Sequence, residues 1–354
     1  MAQNMTSNGV AAIEIDKTID DGIALYEESV NSTIYATSID SCVLDYKCEV
    51  AQSNKRLRVT QAKSLFAAHQ NGRRYHAFHE GAYILPNDEA EQIRMDLEHH
   101  IYRMILAGEL YRAPLKPNPK RVLDFGTGNG NWAIDFANQH PESKVIGSDL
   151  SPIQPTWVPP NCSFEIDDVE TEWPYKSSKA FNYIHSRNMA GSIKDFDNLF
   201  AQAFKHLQPG GYLEMQSFEA GFFSDDGTLE NAQSALKWKN LLIEASNKFG
   251  KPLDVEGTWE KKMSKAGFVD IKNDVYKVPV YPWPKNKKLK EIAQYQQLHL
   301  TAFLEAYTLA LFTRVLKWDK KEIDILLEAV KKDLQNRSNH IYGKIHVIYG
   351  RKQE

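Results

Sequence analysis

The sequence predicts an α/β fold with a doubly wound parallel sheet, and two observations indicate it. Short apolar runs alternate with helical segments from residue 121 to residue 215. One of these runs breaks directly into a glycine loop, and a helix follows the loop. Because strands and helices alternate, the strands are expected to run parallel, with a ligand site where their carboxyl ends meet.

The predicted elements follow in order along the chain. A helix begins after Pro86, where Asn87 or Asp88 can cap it, and an apolar residue recurs every four positions from Ile93 to Ile105. Core strands are expected at 121–125, 144–149, 163–166, 181–185 and 212–215, with helices at 131–139 and 196–206. Later helices at 229–249, 288–312 and 320–334 accompany strands at 268–271 and 341–349.

Composition and this order set the expected domains. Residues 1–70 are acidic yet rich in isoleucine, so they form an arm that packs on the body or docks a partner, with a homodimer through the arm as one candidate assembly. Residues 71–352 form one domain, with its core at 120–220 and a helical lid at about 228–340. The basic cluster Lys55–Arg58 is interpreted as a solvated helix face rather than a nuclear import signal.

Charge and cysteine usage exclude several classes of protein. The 354 residues carry a net charge of −3 and show no basic stripe, so no nucleic-acid partner is expected. The three cysteines indicate neither a disulfide framework nor a metal site. No apolar run approaches the ~20 residues of a membrane span. No signal peptide is visible, so we expect a cytoplasmic protein, with the nucleus as the alternative location.

The glycine loop is the most informative motif. It reads Asp-Phe-Gly-Thr-Gly-Asn-Gly from Asp124 to Gly130, and Asp149 ends the next strand about 20 residues further on, as in nucleoside-binding βαβ units. Dinucleotide sites favour G-x-G-x-x-G, because their pyrophosphate needs a helix N-terminus packed close to the strand. The D-x-G-x-G-x-G spacing is instead typical of S-adenosylmethionine (SAM) methyltransferases. The sequence therefore predicts SAM as cofactor and S-adenosylhomocysteine as product.

Positions around this loop suggest the cofactor contacts. Asp149 should accept the ribose hydroxyls, because a carboxylate accepts two hydrogen bonds. Asp168 should accept the adenine amino group, with Asp167 as the competing choice one residue away. Tyr75 and Tyr83 either cover the methionine end or simply pack the N-terminal segment. The predicted cofactor contacts are Tyr75, Tyr83, Asp124, Gly126, Thr127, Gly128, Asp149, Leu150, Asp167, Asp168, Val169 and Ser186.

Catalysis and the acceptor are predicted from the later strand ends. His185 ends the fourth strand and is the candidate base, since histidine titrates near neutral pH, although a structural role is equally open. A carboxylate acceptor needs no base, and His185 or Arg187 would then orient it. The aromatic residues of the later segments suit an aromatic or terpenoid acceptor, although some must belong to the core. The predicted acceptor contacts are Arg187, Phe218, Phe222, Trp238, Trp283, His299 and Phe303.

Several segments outside the loop share a further pattern: Gly72–His76, Asn131–Asp135, Ile184–Arg187, Tyr281–Pro284 and Trp318–Asp319. With the loop, they resemble class I SAM-dependent methyltransferases and, more narrowly, the LaeA-like methyltransferases of fungi, over about residues 72–352. The resemblance implies a Rossmann-like sheet of seven strands with the last strand antiparallel, and a connection to fungal secondary metabolism. Some members act on small molecules, whereas the namesake is a nuclear regulator that works with velvet-type proteins. The loop lacks the namesake's cysteine, which indicates a divergent member.

Three functions are consistent with these observations. We expect methyl transfer from SAM to a small molecule, as O- or carboxyl-methylation. The alternative is a LaeA-like nuclear regulator of secondary metabolism that acts in a protein complex. A third hypothesis keeps SAM as a bound cation that assists a cyclisation.

Overall fold

A computed structural model of the protein describes residues 11–16, 67–76 and 83–354. Predictions about the rest of the N-terminal arm, including the Lys55–Arg58 cluster, lie outside the described residues. In chain order the strands are β1 (Ala67–Gln70), β2 (Arg73–His76), β3 (Arg121–Phe125), β4 (Lys144–Asp149), β5 (Cys162–Ile166), β6 (Phe181–Arg187), β7 (Leu207–Phe218), β8 (Phe268–Pro279) and β9 (Tyr342–Lys352). The helices are α1 (Glu89–Ile105), α2 (Asn131–Gln139), α3 (Phe196–His206), α4 (Gln233–Phe249), α5 (Glu256–Ala266), α6 (Lys287–Leu311) and α7 (Lys320–Gln335).

Strands β3 to β9 form one sheet in the order β5-β4-β3-β6-β7-β9-β8. The pairs from β5 to β7 are parallel, and β9 runs antiparallel to both of its neighbours. The doubly wound sheet with an antiparallel last strand is therefore confirmed. The chain leaves β3 toward β4 on one side and returns to β6 on the other, so a crevice opens at the carboxyl ends of these three strands.

Three elements were not predicted, namely one helix and the two strands of a hairpin. Helix α5 follows α4 closely, and β1 pairs with β2 as a hairpin in which Gln70 faces Arg73. The turn residues Asn71 and Gly72 have φ angles of 55° and 78°. An Asn-Gly pair at positive φ is the usual signal of a two-residue hairpin, so this turn was readable in the sequence.

The later helices share one core with the sheet. A single buried cluster contains Leu213 of β7, Trp259 of α5 and Leu304 of α6, all nearly inaccessible to solvent. The described part of the arm packs on this body as well. Ile13 and Ile15 contact a small apolar cluster around Trp283, and the Asp16 amide donates to the Trp283 carbonyl at 3.0 Å.

The described residues contain neither a membrane-spanning helix nor a cluster of metal ligands. None of the helices combines the length and the apolar character that a bilayer span requires. No group of three or more His, Cys, Asp or Glu side chains in this part of the chain is arranged to hold a metal ion.

Candidate cofactor and acceptor cleft

An open cleft of about 1080 Å³ lies at the carboxyl ends of β3 to β6. This volume includes the space that is open to solvent. The glycine loop, the ends of β4 and β5, and helix α1 all line the cleft. The predicted site residues that line the cleft are Tyr83, Asp124, Gly126, Thr127, Gly128, Asp149, Leu150, Asp167, Asp168, Val169, His185 and Arg187.

The glycine loop is shaped by two methionines. Gly126 and Gly128 have φ angles of 63° and 58°, which favour glycine. A Cβ on Gly126 would lie 2.2 Å from the Met189 sulfur, and one on Gly128 would lie 2.9 Å from the Met95 sulfur. The atoms that leave no room for a Cβ at Gly126 and Gly128 therefore belong to methionine side chains of the protein. Met95 and Met189 also line the cleft.

Asp149 is held beside the loop by two backbone amides. Its two carboxylate oxygens accept from Gly128 and Ser151, each at 2.8 Å. Burial raises its pKa to about 6, although the two amides oppose this shift. The group is therefore still mostly ionised at neutral pH, and its oxygens retain lone pairs that can accept from a diol.

Asp167 and Asp168 both reach the cleft. The β4–β5 register pairs Asp149 with Ile166, so the two aspartates follow immediately after the end of β5. The Asp168 amide donates to Asp167, and the Glu170 amide donates to Asp168, both at 2.9 Å. The structure does not choose between them for the adenine contact.

His185 is fixed by a buried hydrogen-bond chain. Its Nδ1 lies 2.8 Å from one Asp124 oxygen, and the Thr127 hydroxyl donates to the other at 2.6 Å. The ring also stacks on Trp132, with 3.7 Å between ring centres. Burial lowers the pKa of His185 to about 4 despite Asp124, so the imidazole is neutral at pH 7 and a weak base.

Tyr75 and Ser186 are corrections to the predicted cofactor set, because neither lines the cleft. Tyr75 is buried beneath Arg314, whose guanidinium lies 4.7 Å from the centre of the tyrosine ring. Successive residues of a strand face opposite sides. His185 and Arg187 face the cleft, and Ser186 is buried between them on the other side of β6.

The predicted aromatic wall is a further correction. Trp238 donates to the Thr308 hydroxyl at 2.8 Å inside the core, and Trp283 donates to the Ile341 carbonyl at 3.0 Å. Aromatic side chains on later helices pack against one another because burying them stabilises the fold. Of the predicted lid segment, Lys251 and Tyr307 line the cleft. The predicted acceptor residues that lie outside it are Phe218, Phe222, Trp238, Trp283, His299 and Phe303.

Helix α1 presents a polar face to the cleft instead. Arg94 donates to Glu91 at 2.8 Å and to Glu98 at 3.0 Å, and all three side chains are buried and line the cleft. Burial raises the pKa of Glu98, but Arg94 and His299 outweigh it and hold the pKa at about 2. The predicted apolar stripe fails at Ile93, which is 40% exposed. Glu91, Arg94 and Glu98 are spaced i, i+3 and i+7, which places them on one face of a helix. This spacing could have indicated the polar face from the sequence.

The cleft therefore fits the SAM that the glycine loop predicts. The Asp149 carboxylate lines the cleft beside the glycine loop and can accept from a ribose diol, and charged groups of α1 and β6 line the same cleft and can pair with an amino acid. When bound, SAM supplies a methyl group on positive sulfur.

Comparison with known proteins identifies the family of this chain. Residues 97–273 match the family model of a methyltransferase domain. Methyltransferase pytC of Aspergillus terreus is 40% identical over 80% of this chain and 87% of its own length. The secondary metabolism regulator LAE1 of Cochliobolus heterostrophus is 35% identical over 80% of this chain and 94% of that protein. The protein-methionine methyltransferase laeA of Emericella nidulans is 34% identical over 80% and 76%. The chain therefore belongs to the LaeA-like family of SAM-dependent methyltransferases.

Proposed function

We propose that this protein transfers the SAM methyl group to an oxygen of a small molecule in fungal secondary metabolism. The main support is the cleft itself, in which the glycine loop and Asp149 share one concave site with charged groups of α1 and β6. The relative pytC, which carries the name methyltransferase, adds support because the match covers most of both chains.

The residues present favour an acceptor that needs little help from a base. His185 has a pKa of about 4, because burial opposes its charged form. It is therefore poorly suited to deprotonate a hydroxyl. A carboxylate oxygen already carries the charge that attacks the methyl carbon. The work left to the protein is alignment, which contributes up to ~7–11 kcal/mol. Carboxyl-methylation is thus the favoured form.

The test uses SAM labelled on its methyl group, pure protein and an extract of the producing cell. Organic-soluble compounds are separated from macromolecules, and Asp149→Asn serves as the control that cannot hold the ribose. We expect label in an organic-soluble compound with wild type alone. Label confined to protein, or equal label with the control variant, would contradict the proposal.

A second candidate is methylation of one of the protein's own methionines, as part of a regulatory role in a protein complex. The observation that favours it is the pair of methionine sulfurs, Met95 and Met189, against the glycine loop. The name of the relative laeA, protein-methionine methyltransferase, adds support. In this step a thioether lone pair attacks the methyl carbon as the carbon–sulfur bond of SAM breaks. A methionine sulfonium and neutral S-adenosylhomocysteine result, and no proton moves.

Intact-mass spectrometry tests the second candidate. Wild type, Met95→Leu and Met189→Leu are incubated with SAM alone. Addition of one methyl group that either substitution abolishes would support self-methylation. An unchanged mass for wild type, with label in small molecules in the extract assay, would exclude it.

A further inference from the structure

Arg187 is a partly buried cation at the cleft with spare hydrogen-bonding capacity. Its Nε donates to the Gln216 side-chain oxygen at 2.6 Å, and its Nη1 contacts His99 Nδ1 at 2.8 Å. The guanidinium carbon lies 4.5 Å from the centre of the Tyr102 ring. The third nitrogen, Nη2, is buried and has no hydrogen-bond partner among the residues that the structure describes.

The groups that contact the Arg187 guanidinium are neutral, while the carboxylates of Asp124, Glu98 and Glu214 act on its charge from further away. His99 contacts Asp135 through Nε2 at 3.1 Å, so Nε2 carries the proton and Nδ1 accepts from Arg187. Burial lowers the pKa of His99, which keeps the ring uncharged. Gln216 supplies an amide oxygen, and Tyr102 supplies the face of its ring. The positive charge of Arg187 thus lies beside dipoles and a π face, without a contacting carboxylate in the described part of the chain.

Arg94 provides the contrast within the same cleft. It contacts the carboxylates of both Glu91 and Glu98, and its Nη1 also reaches His299 at 2.8 Å. Its charge is therefore compensated, and an anionic ligand gains little from it. A buried charge without a partner is unfavourable, so an anion that reaches Arg187 should be held firmly.

We propose that Arg187 is the carboxylate-binding group of this cleft. One carboxylate oxygen accepts from Nη2, and the guanidinium charge strengthens that bond. This inference rests on the proposed function, and it states that the bound ligand presents a carboxylate to Arg187. Two ligands offer a carboxylate there, namely the amino-acid end of the cofactor and a carboxylic-acid acceptor. In the second case, Arg187 holds one oxygen while the other attacks the methyl carbon.

Calorimetry with defined probes separates the two sources. S-adenosylhomocysteine carries the amino-acid carboxylate, and 5′-methylthioadenosine lacks it. Benzoate and farnesoate, each against its amide, report an acceptor site with and without saturating S-adenosylhomocysteine. The variants are Arg187→Gln, which removes the charge, and Arg187→Lys, which keeps it. Arg103→Gln is the matched control, because Arg103 is an arginine of α1 that pairs with Asp135 and does not line the cleft.

Loss of a charge-assisted hydrogen bond corresponds to about tenfold or more in affinity. If the cofactor supplies the carboxylate, Arg187→Gln loses this factor for S-adenosylhomocysteine and keeps its affinity for 5′-methylthioadenosine. If the acceptor supplies the carboxylate, the variant keeps its affinity for S-adenosylhomocysteine and loses affinity for benzoate or farnesoate. Arg187→Lys should retain part of the affinity in either case, with a far-UV circular dichroism melt to check the fold.

The inference is overturned if Arg187→Gln binds every probe as wild type does. It is also overturned if Arg103→Gln loses as much affinity, since the effect would then be one of net charge. Failure of the proposed function looks different. Wild type would then bind neither S-adenosylhomocysteine nor 5′-methylthioadenosine. Benzoate and farnesoate, titrated without nucleoside, would still show whether Arg187 binds a carboxylate.

Discussion

Gly126→Ala should damage the cofactor loop far more than an alanine at a comparable glycine elsewhere. At φ 63° an L-residue is strained by about 1–2 kcal/mol. The new Cβ would also lie 2.2 Å from the Met189 sulfur, and overpacking of this kind costs about 1–3 kcal/mol. Together the free energy of unfolding should fall by about 2–5 kcal/mol. Affinity for S-adenosylhomocysteine should fall too, because the loop lines the cleft.

Gly250→Ala is the matched control. Gly250 has φ 86° and nothing within 4 Å of an added Cβ, so only the strain of about 1–2 kcal/mol applies. Urea unfolding and calorimetry are measured for both variants, for Met189→Ala and for the double variant. The coupling between Gly126→Ala and Met189→Ala should recover about 1–3 kcal/mol. Equal losses for the two glycine variants, or no coupling, would refute the collision with Met189.

The remaining predictions concern the charged and aromatic groups. Below pH 6, affinity for S-adenosylhomocysteine should fall about tenfold per pH unit as Asp149 becomes protonated, and Asp149→Asn should bind weakly at every pH by calorimetry. The pKa of Asp149 is raised from 3.8 to about 6 on folding, so stability should rise as pH falls through this window, by at most about 3 kcal/mol, and urea unfolding that shows the opposite slope would contradict the shift. His185→Asn should lower the methylation rate without removing a neutral-pH limb from the rate profile, whereas loss of such a limb would restore His185 as the base. Trp283→Ala should lower the free energy of unfolding by about 3–5 kcal/mol and leave the affinity for S-adenosylhomocysteine unchanged. A folded variant that binds S-adenosylhomocysteine more weakly would show that Trp283 belongs to the site.

The sequence by itself determined the sheet and the nucleoside end of the cleft. The signals were local, because apolar strands, the Asp124–Gly130 loop and Asp149 lie within one βαβ unit. Parallel pairing then brings the ends of β3, β4 and β5 to one edge without further information. The roles of Asp167 and Asp168 stay predictions. The two residues are consecutive after the end of β5, and both line the cleft.

Only the tertiary structure decided the other end of the cleft. Arg187, His99 and Gln216 come from β6, α1 and β7, and no local pattern links them. Aromatic composition suggested an acceptor wall, but such side chains stabilise a core as well as a pocket, and Trp238 and Trp283 belong to the core. Whether a buried polar group has a partner depends on which elements meet around it. That is why the spare charge of Arg187 was visible only after folding.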